Sequence, residues 1–559
     1  MVSYARRWLP LLFVSAYIQT SLAQGWCSHS TSITCEETGE ALKNLSCGWC
    51  RSWTFGSNIA NNKLRMIGLD GGALPGDGNS SHNYMVEASL DQDIDLTNGS
   101  VWQLSLLPNS VPVLKGSTIW SDSSNLTLFN YGGRSASSNV PNGNDIPTLN
   151  TQSNQWSVVS TLISIQRLTD GASVNALDIN KAFYIGGYQS NYTSTNAPSD
   201  GLNHYTTSMF QFDTNTNVPS QIDAPFLPIQ FGAASYIPVG GGALVYFGGE
   251  SPSTPNVKDT SNCSVNEWDH VWVYDIEGNK WYKQNTTGTA APRTEFCAST
   301  VYDAASKSWQ IWAIGGADFE SQKVVDTVSI LSIPSFQWFS AGAATTRMSV
   351  SCQRFGSQIF IMGGRTEFTL GGGEDYDSVA YIYDTNKQAS VSTFSPSSTS
   401  YAPPASVRTA ISSASTPATW ADPAVRALFM SSASGTSSAT STPSSGSSSS
   451  DGGGLSGGAI GGIVVGVVLG IAAVIALVVF LFFRRRKARR ANMDGSSQPF
   501  VQEKTELDAV GTQRNGPGVP AEMAAEHAPY EIDDSAMRAE MGNEGLLKPK
   551  RQQDTYELP

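Results

Sequence analysis

Histidine is scarce in this chain, with five among 559 residues. Four of them, His29, His82, His204 and His270, precede residue 459 and show no paired spacing, so a histidine-based metal centre has little to draw on. No G-x-x-x-x-G-K-[ST], G-x-S-x-G or H-E-x-x-H segment occurs, which leaves P-loop nucleotide hydrolysis, elbow-type serine hydrolysis and zincin proteolysis without support. Charged residues are only 14% of the total, and the net charge of -13 is too diffuse to name a partner. With no basic stripe before residue 459, nucleic acid is not an expected partner. D91-Q-D-I-D95 imitates the opening of a calcium loop, but Leu96 stands where glycine is required and Trp102 where a bidentate Glu belongs, so a strand edge is expected. No catalytic residue, metal ligand or cofactor is assigned.

Charge is missing altogether from Ala459 to Phe483, and cysteine stops at Cys352. The uncharged run makes about 37 Å of helix, enough for a hydrocarbon core of roughly 30 Å. Arg484, Arg485, Arg486, Lys487, Arg489 and Arg490 follow it, a cluster expected to stay on the cytoplasmic side. Residues 1–23, with Arg6 and Arg7, an apolar stretch and S21-L-A23, read as a secretory signal peptide. The expectation is a single-pass type I protein of the plasma membrane with its N-terminal part outside. All seven Asn-x-Ser/Thr acceptors, Asn44, Asn79, Asn98, Asn125, Asn191, Asn262 and Asn285, precede the apolar run, as do all seven cysteines. Gly462, Gly466 and Gly470 recur every four residues and offer a smooth strip for homodimerisation. The tail from residue 484 is expected to be disordered, and carries two short echoes, P529-Y-E-I532 and T555-Y-E-L558.

What the chain does have is repetition. Six apolar runs end in a glycine pair: Gly71-Gly72, Gly132-Gly133, Gly186-Gly187, Gly248-Gly249, Gly315-Gly316 and Gly363-Gly364. Most are followed by an apolar stretch closing on Asp and then by Trp, most clearly V271-W-V-Y-D275 with Trp281. A period of this size marks units that cannot bury their own apolar faces and must stack. Each copy reads as four short strands, in the fourth roughly 231–237, 243–247, 270–274 and 281–284. The pattern resembles the kelch repeat, which implies an all-β propeller over residues 50–390 with six blades, or seven if 390–429 supplies another. Together with the signal, stalk and span, the whole chain resembles fungal single-pass membrane proteins carrying a kelch ectodomain.

The flanking segments are read as a Cys-rich stretch at 24–49 and a Ser/Thr/Pro/Gly-rich extended stalk at 391–458. C47-G-W-C50 has redox-motif spacing, but a strand-like R51-S-W-T-F55 follows it instead of a helix. Structural disulfides among Cys27, Cys35, Cys47 and Cys50 are expected, in any of three connectivities. Cys297 and Cys352 lie at similar places in the first strands of adjacent blades and form a candidate pair, leaving Cys263 over. Arg134 and Arg365 follow glycine pairs; a ligand-facing loop position is one reading, and an exposed or paired loop arginine is the favoured one.

The functional expectation is a surface glycoprotein whose propeller binds an extracellular glycan or protein in adhesion or sensing. The alternative is a membrane-tethered carbohydrate-active or galactose-oxidase-like enzyme, although no motif here matches the copper ligands of such oxidases.

Overall fold

The computed structural model describes residues 55–68, 84–135, 140, 142–161, 165–226, 228–258, 263–318, 320–366 and 379–431. Six sheets, each with four antiparallel strands at its core, follow one another along the chain; the fourth adds Cys263–Val265, and the fifth adds Thr287–Gly288 parallel to Gln337–Ser340. In the fourth, Gln230–Ile237, Ala243–Pro252, His270–Asp275 and Lys280–Asn285 pair in sequence order. The innermost strands of the six blades are Gly56–Ala60, Lys115–Ser121, Ala172–Ala176, Gln230–Ile237, Cys297–Asp303 and Met348–Phe355. Each touches the innermost strand of the next blade, and the sixth touches the first, so the ring closes.

Burial explains why the middle strands do not alternate between apolar and polar residues. Val328–Ile333 and Gln358–Arg365 are buried along their full length, because both faces of a blade pack on neighbours. The outer strand Gln155–Ser160 is largely solvent-facing, with Val158 exposed. Apolar side chains accordingly divide into six clusters, one for each seam between blades. The repeat tryptophans sit in those seams: Trp102 between blades six and one, Trp156 between one and two, Trp281 between three and four, and Trp338 between four and five.

Each repeat glycine in the described residues has a positive φ. At Gly186, φ is +70° and an added Cβ would lie 2.3 Å from the Ile229 carbonyl oxygen, at the entry to the next blade. At Gly187 it would lie 2.3 Å from the Thr169 oxygen, at the entry to the same blade. The Gly187 N–H donates to Ile229 O at 2.7 Å, so the pair is wedged between two incoming backbones. The repeat Asp has a separate task. Asp213 and Asp384 Oδ1 each accept two backbone N–H groups of the turn that follows, and Asp275 Oδ1 accepts that of Gly278, fixing the outer hairpin. Asn217, Asn279 and Gln388 complete those turns at positive φ.

Sequence reasoning missed a third device. Arg293, 1% exposed, donates to the carbonyls of Gly315 and Ala313 at 2.8 and 3.0 Å. Arg347 and Arg167 likewise reach Gly363 O and Gly132 O. These buried arginines satisfy the strand ends that the glycine pairs leave open, which P292-R-T-E-F296 signals only by its place before a blade.

The segment after the sixth blade departs from expectation. No seventh blade forms: residues 405–413 and 423–431 are helices α1 (Ala405–Ser413) and α2 (Pro423–Ser431). The stalk therefore cannot start at 391. Thr393–Phe394 pairs with Ile94–Asp95, α1 seats Val407 on the seam of blades five and six, and α2 seats Val425, Leu428 and Phe429 on that of four and five. A Ser- and Ala-rich composition concealed these few apolar anchors. The same pairing makes D91-Q-D-I-D95 a strand edge. The first described strand begins at Gly56, and of the R51-S-W-T-F55 segment read as strand only Phe55 lies within the described residues. Residues 1–54 and 432–559, with Gly71, Gly72, Asn44, Asn79, Asn262, Cys27, Cys35, Cys47, Cys50 and the glycine strip, lie outside the described residues. Among the described residues no helix is long and apolar enough to cross a membrane.

Gly186→Ala meets both backbone strain and a carbonyl, and is expected to lose more than about 2 kcal/mol in urea unfolding. Gly201→Ala, at φ +76° with nothing within 4 Å, is expected to lose about 1 kcal/mol.

Candidate functional site: the channel and its collar

The six innermost strands enclose a channel of about 560 Å³. Small and hydroxyl-bearing side chains keep it open, because large ones at these positions would fill the axis. Part of the wall is stitched by polar contacts between blades: Ser57 Oγ to Ser351 Oγ at 2.5 Å, Gln353 Nε2 to Ser57 O at 2.9 Å, and Thr118 Oγ1 to Ser173 Oγ at 2.7 Å. A disulfide joins Cys297 to Cys352 across blades five and six, with the Cα atoms 5.6 Å apart. Cys263 lies elsewhere, its sulfur 3.8 Å from Gln230 Nε2.

At the end where the glycine pairs gather, one residue from each of blades two to six turns into the channel with a positive φ: Gly116 (+69°), Asp170 (+60°), Phe231 (+54°), Glu295 (+55°) and Ser349 (+55°). Phe231 N donates to Asp170 O and Ser349 N to Glu295 O, both at 2.8 Å, so these residues form a linked collar. Left-handed backbone costs a non-glycine residue on the order of 1–2 kcal/mol. The collar holds it at four.

The residues just after the glycine pairs supply its charge. Arg134 Nη1 lies 3.3 Å from Asp170 Oδ2 and also contacts the Tyr188 hydroxyl. Arg365 Nη2 lies 3.6 Å from Glu295 Oε2, which accepts from the Ser349 hydroxyl. Arg365 is buried and Arg134 only partly exposed, so both are paired and neither is a free loop arginine. The corresponding residue of blade four is Glu250, 3% exposed. Its Oε1 accepts from Gln230 Nε2 at 2.6 Å, and Gln230 Oε1 accepts from Tyr205 OH at 2.6 Å. Burial pushes the Glu250 carboxyl up to about 7; the Gln230 hydrogen bond opposes this, and Glu295 and Asp170 add to it. None of the four collar side chains was singled out from sequence, since five contributions from strand starts some 50 to 65 residues apart carry no local motif.

The sequence-predicted positions elsewhere do not converge. His204 sits beside Asp200 and His270 beside Asp269, on separate blades, while His29 and His82 lie outside the described residues. Among the described residues no group of three His, Cys, Asp or Glu side chains is placed to hold a metal ion. Of the described sequons, Asn98 and Asn285 are exposed, and Asn125 and Asn191 half-buried.

Six radial four-stranded sheets around one channel define a β-propeller. Residues 128–372 match the model of the KLHDC2/KLHL20/DRC7 Kelch-repeats domain, and the fold is a kelch-type propeller of six blades. A Kelch repeat-containing protein of Arthroderma benhamiae is 27% identical over 360 residues, which cover 56% of this chain and 53% of that protein. The chain thus spans about half the length of that curated relative. The solved structure of YjhT aligns with a TM-score of 0.44 and 13% identity, over 62% of this chain and 98% of that one. Residues 128–372 thus carry kelch repeats, and the six-bladed ring is the fold that such repeats build.

Because the Glu250 pKa is raised in the fold, the native state binds more protons than the unfolded one between about pH 4.5 and 7, and stability falls as pH rises through that window. Glu250→Gln is expected to gain up to about 3 kcal/mol at pH 8 and almost nothing at pH 4, read by urea unfolding at the two pH values.

Proposed function

We propose that this protein is a single-pass surface glycoprotein that holds an extracellular ligand at the collar end of its propeller channel, in adhesion or sensing. The observation that carries the reading is the collar itself: polar and aromatic side chains, held at a backbone cost, converge on one opening of the channel. Kelch propellers typically act by binding, and rigid blades let such a surface be built from distant segments.

The surface location rests on separate support. The uncharged run 459–483 and the basic cluster after it favour one orientation, with every sequon on the outer side. The Cys297–Cys352 disulfide suits an oxidising compartment. α2 ends at Ser431, 28 residues before the apolar run, so the proposed stalk shortens to about residues 432–458.

For the full-length chain expressed in a eukaryotic cell, peptide N-glycosidase is expected to increase gel mobility, and protease added to intact cells should remove the propeller. Unchanged mobility together with full protection would contradict the location. Ligand binding is tested by screening the full-length protein against glycan arrays and surface-protein extracts, with saturable binding expected.

A further inference from the structure

The channel wall is tied together unevenly. On blades six, one, two and three the innermost strands are tied to each other by side-chain hydrogen bonds, and on five and six by the disulfide. Neither the seam between blades three and four nor the stretch between four and five, Gln230–Ile237 against Cys297–Asp303, has a side-chain hydrogen bond between its innermost strands among the described residues. This stretch carries Ser299 and Thr300, both half-buried and lining the channel, whose hydroxyls are not used in stitching. At its head stands Phe231.

Phe231 is anomalous on three counts. It is a bulky residue at φ +54°, a position where blade two uses glycine. It is only half-buried, although it lines the channel. It belongs to none of the six seam clusters, whereas its neighbour Phe226 packs on Tyr246, Trp272 and Trp281. An aromatic ring that pays backbone strain without joining a core has no folding role to explain it.

Its flanks narrow the choice of ligand. Asp170 on one side and Glu295 on the other are each already matched to an arginine, so the two acid–arginine pairs carry no net charge. A cationic or anionic ligand would have to break a buried pair, which is costly. A neutral polyhydroxyl ring would not: its apolar face can stack on an aromatic while its hydroxyls exchange hydrogen bonds with Ser and Thr. A volume of about 560 Å³ lies within the roughly 300–1,000 Å³ usual for small-molecule sites. The channel is walled on all sides, so it admits the end of a chain and excludes its middle.

We infer that Phe231, with the Ser299–Thr300 wall below it, seats the terminal neutral sugar ring of a glycan at the collar end of the channel. This deepens the ligand-binding reading above and rests on it.

The test is titration of the full-length protein with neutral glucan, chitin and mannan hexasaccharides, comparing wild type, Phe231→Gly and Phe231→Tyr. Glycine suits the positive φ, so Phe231→Gly should fold with an unchanged or raised Tm. For at least one hexasaccharide it should bind at least tenfold more weakly than wild type, while Phe231→Tyr keeps binding within threefold. Wild-type binding that Phe231→Gly leaves intact would overturn the collar seat while sparing the ligand-binding reading. Saturable binding to a protein or to a charged glycan, with none to the three neutral hexasaccharides, would overturn the sugar assignment alone. No saturable binding to anything would bring down both.

Discussion

The structure depends on one constraint: a four-stranded blade with two apolar faces has no stable state by itself and needs a neighbour on each side. Six blades meet that need only if the sixth finds the first. They do so here without exchanging strands, since the first sheet comes wholly from residues 56–106 and the last wholly from 348–391. The joint is made by side chains and one short bridge. Leu64, Val86 and Trp102 pack with Phe360, Ile382 and Phe394, and Thr393–Phe394 pairs with Ile94–Asp95. The chain beyond the ring then adds α1 and α2 over two further seams, so closure is buttressed from outside.

The same packing explains which parts of the fold were legible. Glycine pairs, the Asp after the third strand and the seam tryptophans recur because each blade repeats one backbone problem, and each residue type solves it locally. Blade six shows the limit. No Trp follows Asp384 and its outer strand is only Ala389–Val391, yet Ile359, Ile361 and Tyr383 still fill its seam. The helices at 405–431 were illegible for the opposite reason. Val407, Val425, Leu428 and Phe429 are too few to stand out in a Ser- and Ala-rich segment, and the seams they cover exist only after the ring has formed.

The candidate site was less legible than the fold. Arg134 and Arg365 drew notice by following glycine pairs, but their partners Asp170 and Glu295 come from other blades, at separations of 36 and 70 residues. Phe231 in sequence is one more apolar residue opening a strand. Only the positive φ shared by equivalent residues around the ring shows that it faces the channel. Structure and chemistry meet at this point: closure aligns the strand starts, alignment creates the collar, and the collar sets Phe231 and two acid–arginine pairs at one end of the channel.

Closure between the first and last blades can be measured directly. Ser57 and Ser351 are 294 residues apart in sequence, and their hydroxyl oxygens are 2.5 Å apart across that joint. With both replaced by cysteine under mild oxidation, mass spectrometry of the digested full-length protein should recover a disulfide between peptides containing positions 57 and 351. A folded protein in which those two thiols stay uncrosslinked, or pair with other cysteines, would contradict the six-bladed ring.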